Sequence, residues 1–222
     1  CISITEGVKA HHSLPESKCE VIYDGVMNEK SCRYKEQKNP YFLFAGRLEE
    51  AKGIEACIRC FVNYSSETNS ETELWVAGDT IDNSYFERLK RLAGAAPVKF
   101  LGMRKDIYDL MYNAKALIVP SRHEGFGFIT AEAMFNGCLV IGRNTSGTKE
   151  QMDNGLCITG KEIALRFETE DELVFRMKEV DSNDGTKYKE MIMRGQQVVK
   201  HLYSTEAHAA KVISLYKRLI TS

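Results

Sequence analysis

Two glutamates, Glu124 and Glu132, are separated by seven residues in SRHEGFGFITAEAMFNG, the stretch from Ser121 to Gly137, with Gly125, Phe126, Gly127 and Phe128 between them. A carboxylate repels phosphate but accepts hydrogen bonds from hydroxyl groups. The stretch reads as a strand end, a glycine loop and a short helix. Its strand is the apolar run Lys115 to Val119 closed by Pro120, and the helix is expected to start near Gly127 and stop at Gly137. That layout puts Glu124 in a loop at a strand's carboxyl edge and Glu132 about a turn and a half into the helix, roughly 7.5 Å along its axis. The first-turn amides of such a helix lack intrahelical partners, and with the helix dipole they favour an anion such as a pyrophosphate. Gly125 and Gly127 let the backbone come close to a ligand. A ligand charged at its centre and hydroxylated at both ends suits two carboxylates so placed, and a nucleotide sugar is such a ligand. The same residues also fit a glycine turn and an amphipathic helix carrying two solvated glutamates.

Arg47 and Lys52 lie in the loop Gly46-Arg47-Leu48-Glu49-Glu50-Ala51-Lys52-Gly53, which follows the apolar strand Tyr41 to Ala45. Arg grips phosphate through two donors and Lys acts as a point charge. Departure of a nucleoside diphosphate loads its leaving oxygen with negative charge, which fixed cations and helix amides can stabilise. The chain contains no Asp-x-Asp, so no metal or other cofactor is expected. Two surface cations paired with Glu49 and Glu50 are an equally good account of these residues.

The elements that must hold these groups alternate. Apolar runs at Tyr41 to Ala45, Glu73 to Ala77, Val98 to Leu101, Lys115 to Val119 and Cys138 to Gly142 read as strands. Between them, Ile54, Cys57, Ile58 and Phe61 form one helical face, Ser84 with Glu87 reads as a capping box, and Asp106 to Asn113 reads as a short helix. Gly147 opens a further loop, and after Lys161 the pattern turns helical, over Asp171 to Val180, Lys187 to Leu202 and a last helix capped by Ser204 with Val212, Leu215, Tyr216, Leu219 and Ile220 as its stripe. Upstream, Cys1 to Ile4 and Val21 to Tyr23 read as short strands around a helical turn from Thr5 to His12, and Asn28 to Pro40 as a solvated linker. Strands alternating with helices predict an α/β Rossmann-like domain, a parallel sheet with helices on both faces, whose ligands bind at the carboxyl ends of the strands. The expected division is residues 1–20 as a remnant of another domain or a linker, 21–203 as the nucleotide-sugar-binding domain, and 204–222 as an amphipathic helix docked on its own core.

Thirty basic and 31 acidic residues among 222 give a net charge of −1, which argues against a nucleic-acid partner. No apolar run reaches the roughly 18 residues needed to span a bilayer, and no signal peptide is visible, so a soluble, cytoplasmic protein is expected. From Lys187 onward seven Lys or Arg stand against two Glu; a solvated face is one expectation, and peripheral contact with an anionic membrane inner face the other. Seven cysteines without framework spacing argue against a disulfide scaffold. Cys57 and Cys60 form a lone C-x-x-C inside an apolar helical pattern and read as core thiols, not zinc ligands. A chain that opens at Cys1 is expected to be a fragment or a processed chain.

In order, FAGRLEEAKG, LWVAGD, VKFLGMRKDIYDLMYNAKALIVPS, EGFGFITAEAMFNGCLVI and SGTKEQMDNG resemble the C-terminal, donor-binding half of the retaining glycosyltransferases of family 4, which have the two-domain GT-B architecture. The resemblance implies that Arg47 and Lys52 bind the donor diphosphate, that Glu124 faces the sugar hydroxyls and that Glu132 binds the ribose. It places the backbone of Phe126, Gly127 and Phe128 against sugar and phosphate, Met103 and Arg104 near the base, and Thr145 to Thr148, with Gly147, near the sugar. It further implies transfer to a glycan or lipid-linked acceptor bound by an N-terminal domain that this chain lacks, and it assigns none of the five histidines a catalytic part. A nucleotide-sugar-binding subunit of a split enzyme, and half of an epimerase or phosphorylase of the same architecture, are the alternatives.

Overall fold

The computed structural model describes residues 1–15, 19–26, 34–183 and 185–221. The chain opens with β1 (Ile2–Ser3), α1 (Glu6–His11) and β2 (Glu20–Val21), β1 and β2 pairing in parallel. The main body then runs β3 (Asn39–Ala45), α2 (Ile54–Glu67), β4 (Glu73–Ala77), α3 (Asn83–Ala93), β5 (Val98–Gly102), α4 (Ile107–Asn113), β6 (Ala114–Val119), α5 (Phe128–Phe135), β7 (Val140–Arg143), α6 (Ser146–Thr159), β8 (Leu165–Phe167), α7 (Glu170–Asp181), α8 (Lys189–Leu202) and α9 (Thr205–Thr221). The six strands from β3 form one parallel sheet in the order β5-β4-β3-β6-β7-β8.

Alternation along the strands sorts the side chains into two cores. Phe42 and Phe44 of β3, with Ala116 and Ile118 of β6, face Ile54, Ile58, Phe61 and Tyr64 of α2 and Leu173 and Met177 of α7. Tyr41 and Leu43, with Leu117 and Val119, face Met111 of α4, Ala131 and Met134 of α5, Met152 of α6 and Val198 of α8. Because both faces are covered, the central strands are apolar almost throughout. Full burial of a side chain such as Phe42 or Phe61 contributes roughly 1.5–3 kcal/mol. The expected α/β architecture is therefore the one the chain forms. Cys57 and Cys60 are buried in the first core, and burial pushes the Cys60 thiol up to about 12 and Cys57 well above its ordinary value.

The chain leaves β3 for β4 and β5 on one side, then returns to place β6 against the other edge of β3. At that reversal the loops after β3 and β6 diverge to opposite faces and leave a crevice at the carboxyl ends of the two strands.

Several local expectations are corrected. Ser84 and Glu87 form no capping box: Asp82 caps α3, accepting from the amides of Ser84 and Tyr85 at 2.9 and 3.1 Å. The capping box lies instead at Thr169 and Glu172, at the start of α7. The expected loop at Gly147 is the first turn of α6, which takes up all of SGTKEQMDNG, and β8 has no counterpart among the expected strands; Gly155 brings α6 so near Ile163, just before β8, that a Cβ there would lie 2.3 Å from its Cδ1. The expected boundary at residues 20 and 21 falls inside β2. In the expected linker Asn28 to Pro40, residues 28–33 lie outside the described residues, and Asn39 and Pro40 already belong to β3. Ser204 does cap α9, its Oγ accepting from Ala207 N at 3.1 Å, but no residue of α9 is buried, and Ile213, Tyr216, Leu219 and Ile220 are exposed. Of the stripe, Val212 and Leu215 are half buried, on the side where His208 Nδ1 lies 2.8 Å from Tyr23 O, while Tyr216, Leu219 and Ile220 face out, so α9 rests on the surface and does not complete the core. Among the described residues no helix is long and apolar enough to cross a membrane.

Candidate functional site

The crevice between β3 and β6 is a cavity of about 430 Å³. Its walls are the end of β3 with Gly46 and Arg47, Lys52, the end of β6 with Pro120 and Ser121, the loop Glu124 to Gly127, and Phe128, Ile129 and Glu132 of α5. Close backbone packing fixes these loops. Gly53, at φ 71°, lies so near Pro120 that a Cβ would come within 2.4 Å of its carbonyl oxygen. A Cβ on Gly147 would lie 2.5 Å from the carbonyl oxygens of both Gly125 and Phe126, and Gly147 N donates to Glu124 O at 3.0 Å.

The cation–carboxylate arrangement is asymmetric. Lys52 Nζ donates to both oxygens of Glu124 at 2.8 and 3.0 Å, across 72 residues of sequence. With the two side chains 23% and 11% exposed, the pair is shielded enough to be worth more than a surface ion pair, yet both members still border the cavity. Arg47 is 76% exposed and lies 3.1 Å from Glu49. Pairing with a sequence neighbour therefore holds for Arg47, while Lys52 finds its partner across the cavity. Arg47 can exchange Glu49 for a phosphate at little cost, whereas Glu124, 11% exposed, gives up Lys52 only where a ligand's hydroxyls in the cavity take its place.

Glu132 projects from the second turn of α5 onto the same wall and accepts a hydrogen bond from Tyr108 Oη at 3.2 Å. Burial raises its carboxyl above the ordinary range, and the Tyr108 bond offsets part of that rise. Gly127, at φ 84°, precedes α5 with no side-chain cap, and the start of the helix at Phe128 and Ile129 borders the cavity between the two glutamates. Phe126 is buried beneath the loop, and Phe128 is half exposed at its mouth.

Arg47, Lys52, Glu124, Gly125, Phe126, Gly127, Phe128 and Glu132 are thus brought together. Four predicted site residues are not on this wall. Met103 is 80% exposed after β5, and Arg104 beside it is held by Asp106 at 2.6 Å. Gly147 and Thr148 lie in the first turn of α6, not in a loop; Thr148 is buried and shares a 3.3 Å hydrogen bond with Thr130.

Two residues of SGTKEQMDNG given no role from the sequence hold the loop and its neighbour α1. Gln151 of α6 is buried, and its Nε2 donates to the carbonyl oxygens of Phe126 at 2.6 Å and Gly127 at 3.1 Å, which turns the following amides toward the cavity. Glu150 reaches the other way: its carboxylate accepts from the amides of Glu6 and Gly7 at 2.8 and 2.9 Å and from Tyr23 Oη at 3.0 Å, seating α1 against α6. A helical reading of SGTKEQMDNG would have put both on a helix beside the loop. Because α1 is so seated, a second cavity of about 210 Å³ forms behind Glu124 and Gly125, lined also by His11, His12, His123 and Ser146.

The profile of the family described as Glycosyl transferases group 1 matches residues 28–198. An uncharacterized glycosyltransferase of Methanocaldococcus jannaschii is 27% identical over 97% of this chain and 58% of its own length. Among solved structures, a glycosyltransferase from Rickettsia africae superposes with a TM-score of 0.82 at 19% identity, over 99% of this chain and 63% of that one. Anabaena Alr3699/HepE, solved in complex with UDP-glucose, gives 0.78 at 18% identity, over 98% and 63%. The chain therefore spans less than two thirds of the length of these proteins, and it shares the GT-B, Rossmann-like fold of the solved ones. With the matched span running from before β3 into α8, across every wall of the first cavity, the chain belongs to the glycosyl transferases group 1 family.

Proposed function

We propose that this chain is the C-terminal, donor-binding half of a retaining glycosyltransferase of family 4, and that it binds a UDP- or GDP-sugar in the cavity between β3 and β6. The observation that carries the reading is the Lys52–Glu124 pair on that cavity, with uncapped helix amides beside it and Glu132 on the same wall. The donor diphosphate takes Lys52 and Arg47 from their carboxylates and sits on the α5 amides. Glu124, released from Lys52, accepts hydrogen bonds from the sugar hydroxyls, and Glu132 accepts those of the ribose. Met103 and Arg104 flank the base from the end of β5, and Gly147 and Thr148 support the sugar side through the loop they pack against. The complex of the Anabaena protein with UDP-glucose supports a uridine donor.

In the transfer, the bond between the anomeric carbon and the diphosphate oxygen breaks with the electron pair leaving on the diphosphate. The acceptor oxygen bonds to the same face of the sugar, and its proton passes to the departing diphosphate oxygen. Lys52, Arg47 and the helix amides stabilise that oxygen, a role for which the proposal needs no metal. The acceptor, a glycan or lipid-linked group, is bound by the part of the relatives that this chain does not span, and residues 1–20 are a remnant of that acceptor domain or the linker to it. The complete enzyme works in the cytoplasm, with peripheral contact at the inner face of the membrane.

Calorimetric titration with UDP and GDP tests the reading. Saturable binding of one of them is expected, weakened about tenfold or more by Arg47→Ala and by Glu132→Ala. Absence of binding of both at millimolar concentration would overturn it.

A further inference from the structure

The second cavity gathers imidazoles from segments far apart in sequence. His11 and His12 end and follow α1, with ring centroids 5.0 Å apart, and His123 comes from the loop after β6, 6.1 Å from His11. His123 Nδ1 lies 3.2 Å from Ser146 Oγ, which fixes the ring beside the first turn of α6. Glu124 and Gly125 line both cavities, so the two share a wall at the carboxylate that the proposed function gives to the transferred sugar.

The charges around this chamber are unevenly committed. Glu124 holds Lys52, Glu150 is saturated by the α1 amides and Tyr23, and Glu6 lies 3.7 Å from Lys9. Lys149 is paired with Asp153 one turn further along α6. Apart from the Glu124 carboxylate on the shared wall, held by Lys52 or, in the donor complex, by the sugar hydroxyls, the titratable and hydroxyl side chains facing the chamber can act as donors: three imidazoles, each with one N–H when neutral and two when protonated, and the Ser146 hydroxyl. The first turn of α6 adds to this, since it contains no acidic residue and its cap residue Thr145 donates its hydroxyl to Arg122 O instead of accepting from the helix amides.

Resting on the donor reading above, we propose that the His11–His12–His123 chamber is an acceptor subsite that recognises a phosphomonoester, so that the transferred sugar goes to a hydroxyl of a phosphorylated acceptor. A phosphate held there lies on the far side of Glu124 from the donor diphosphate. An acceptor hydroxyl a few atoms from its phosphate then reaches the shared wall.

Histidine side-chain NMR on the full chain, with saturating UDP to fill the first cavity, tests this with inorganic phosphate and then glycerol 3-phosphate as probes. Saturable shifts of His11, His12 and His123, with a Kd of roughly millimolar order and no comparable shift of His201 or His208, are expected. The double variant His11→Gln, His12→Gln is expected to weaken phosphate binding about fivefold or more while UDP affinity stays as in the parent chain. Phosphatidic acid vesicles at equal phosphate concentration separate the sources: a stronger response than to glycerol 3-phosphate supports a lipid-borne phosphate, and an equal or weaker one a free phosphate. No saturable response of the three, or an equal response of all five histidines, would overturn the proposal. If UDP itself fails to bind, the donor reading falls, and the histidine shifts, read without UDP, still report on the chamber by itself.

Discussion

The two edges of the sheet each carry a cavity of similar size, and they use charge in opposite ways. At the amino edge a cavity of about 360 Å³ is lined by Lys38, Lys115, Leu139, Tyr188 and their neighbours. Its cations are committed to structure. Lys115 lies 2.9 Å from Asp181, which also accepts from Thr72 at 2.6 Å, and Lys38 donates to the carbonyl oxygens of Tyr112 and Gly137 at 2.7 and 2.8 Å. None of those partners lines the cavity, so a ligand that took the lysine would leave its partner unsatisfied. At the carboxyl edge Lys52 is paired with a loop glutamate that borders open space and can turn to a ligand's hydroxyls. Volume alone does not make a binding site; what distinguishes the carboxyl edge is polar partners that can be exchanged at little cost.

The largest expected effect tests the amino edge. Burial pushes the Asp181 carboxyl up, but hydrogen bonds from Thr72, Lys115 and others outweigh it and bring the pKa down to about 2. A lowered folded-state value means stability that is present above the ordinary carboxylate range and lost as pH falls toward about 2, worth about 2 kcal/mol at neutral pH. Asp181→Asn is therefore expected to lower stability by about 2 kcal/mol at pH 7 and to flatten the decline in stability between about pH 4 and 2, while UDP affinity is unchanged. Denaturant melts across pH, with parallel calorimetry, check it; a loss of UDP binding without a loss of stability would break the contrast between the edges.

Lys52→Met tests the carboxyl edge, and the opposite pattern is expected: UDP affinity falls about tenfold, or roughly 1.4 kcal/mol, with stability changed by about 1 kcal/mol or less. The residual cost to stability comes from Glu124, which keeps its place in the loop without its cation. A melt that shifts as much as that of Asp181→Asn would mean that Lys52 is structural too.

The smallest effect sharpens the comparison within the carboxyl edge. Burial raises the Glu132 carboxyl and the Tyr108 hydroxyl restrains the rise, so Tyr108→Phe is expected to raise it further. Donor affinity should then fall as pH drops through the Glu132 titration, and the fall should begin at a higher pH in the variant than in the parent. Identical pH profiles of UDP binding would remove Glu132 from the ribose side.

Much of this is legible in the sequence, because strand and helix periodicity is local and the core needs it. The runs at Tyr41, Glu73 and Val98 and the stripe Ile54, Cys57, Ile58 and Phe61 all become the elements they predict. The start of α6 reads as a loop at Gly147 because its residues are polar, and its apolar contacts are few: Met152 in the second core and Gly155 closing on Ile163, which no short-range pattern encodes. The stripe on α9 is legible as amphipathic, but amphipathicity gives a face and not its partner.

The sequence by itself determined the alternating architecture, the glycine loop with its two glutamates and the family to which they point, since these depend on residue types at short, fixed spacings. Only the tertiary structure decided which charges meet. Lys52 and Glu124 are 72 residues apart, and His11 precedes the main sheet while His123 follows β6 within it. Their encounter depends on the strand order that sets β6 beside β3 and on the seating of α1 by Glu150. Both are long-range packing outcomes, and ion pairs and cavities follow distance in space, which the order of residues along the chain does not carry.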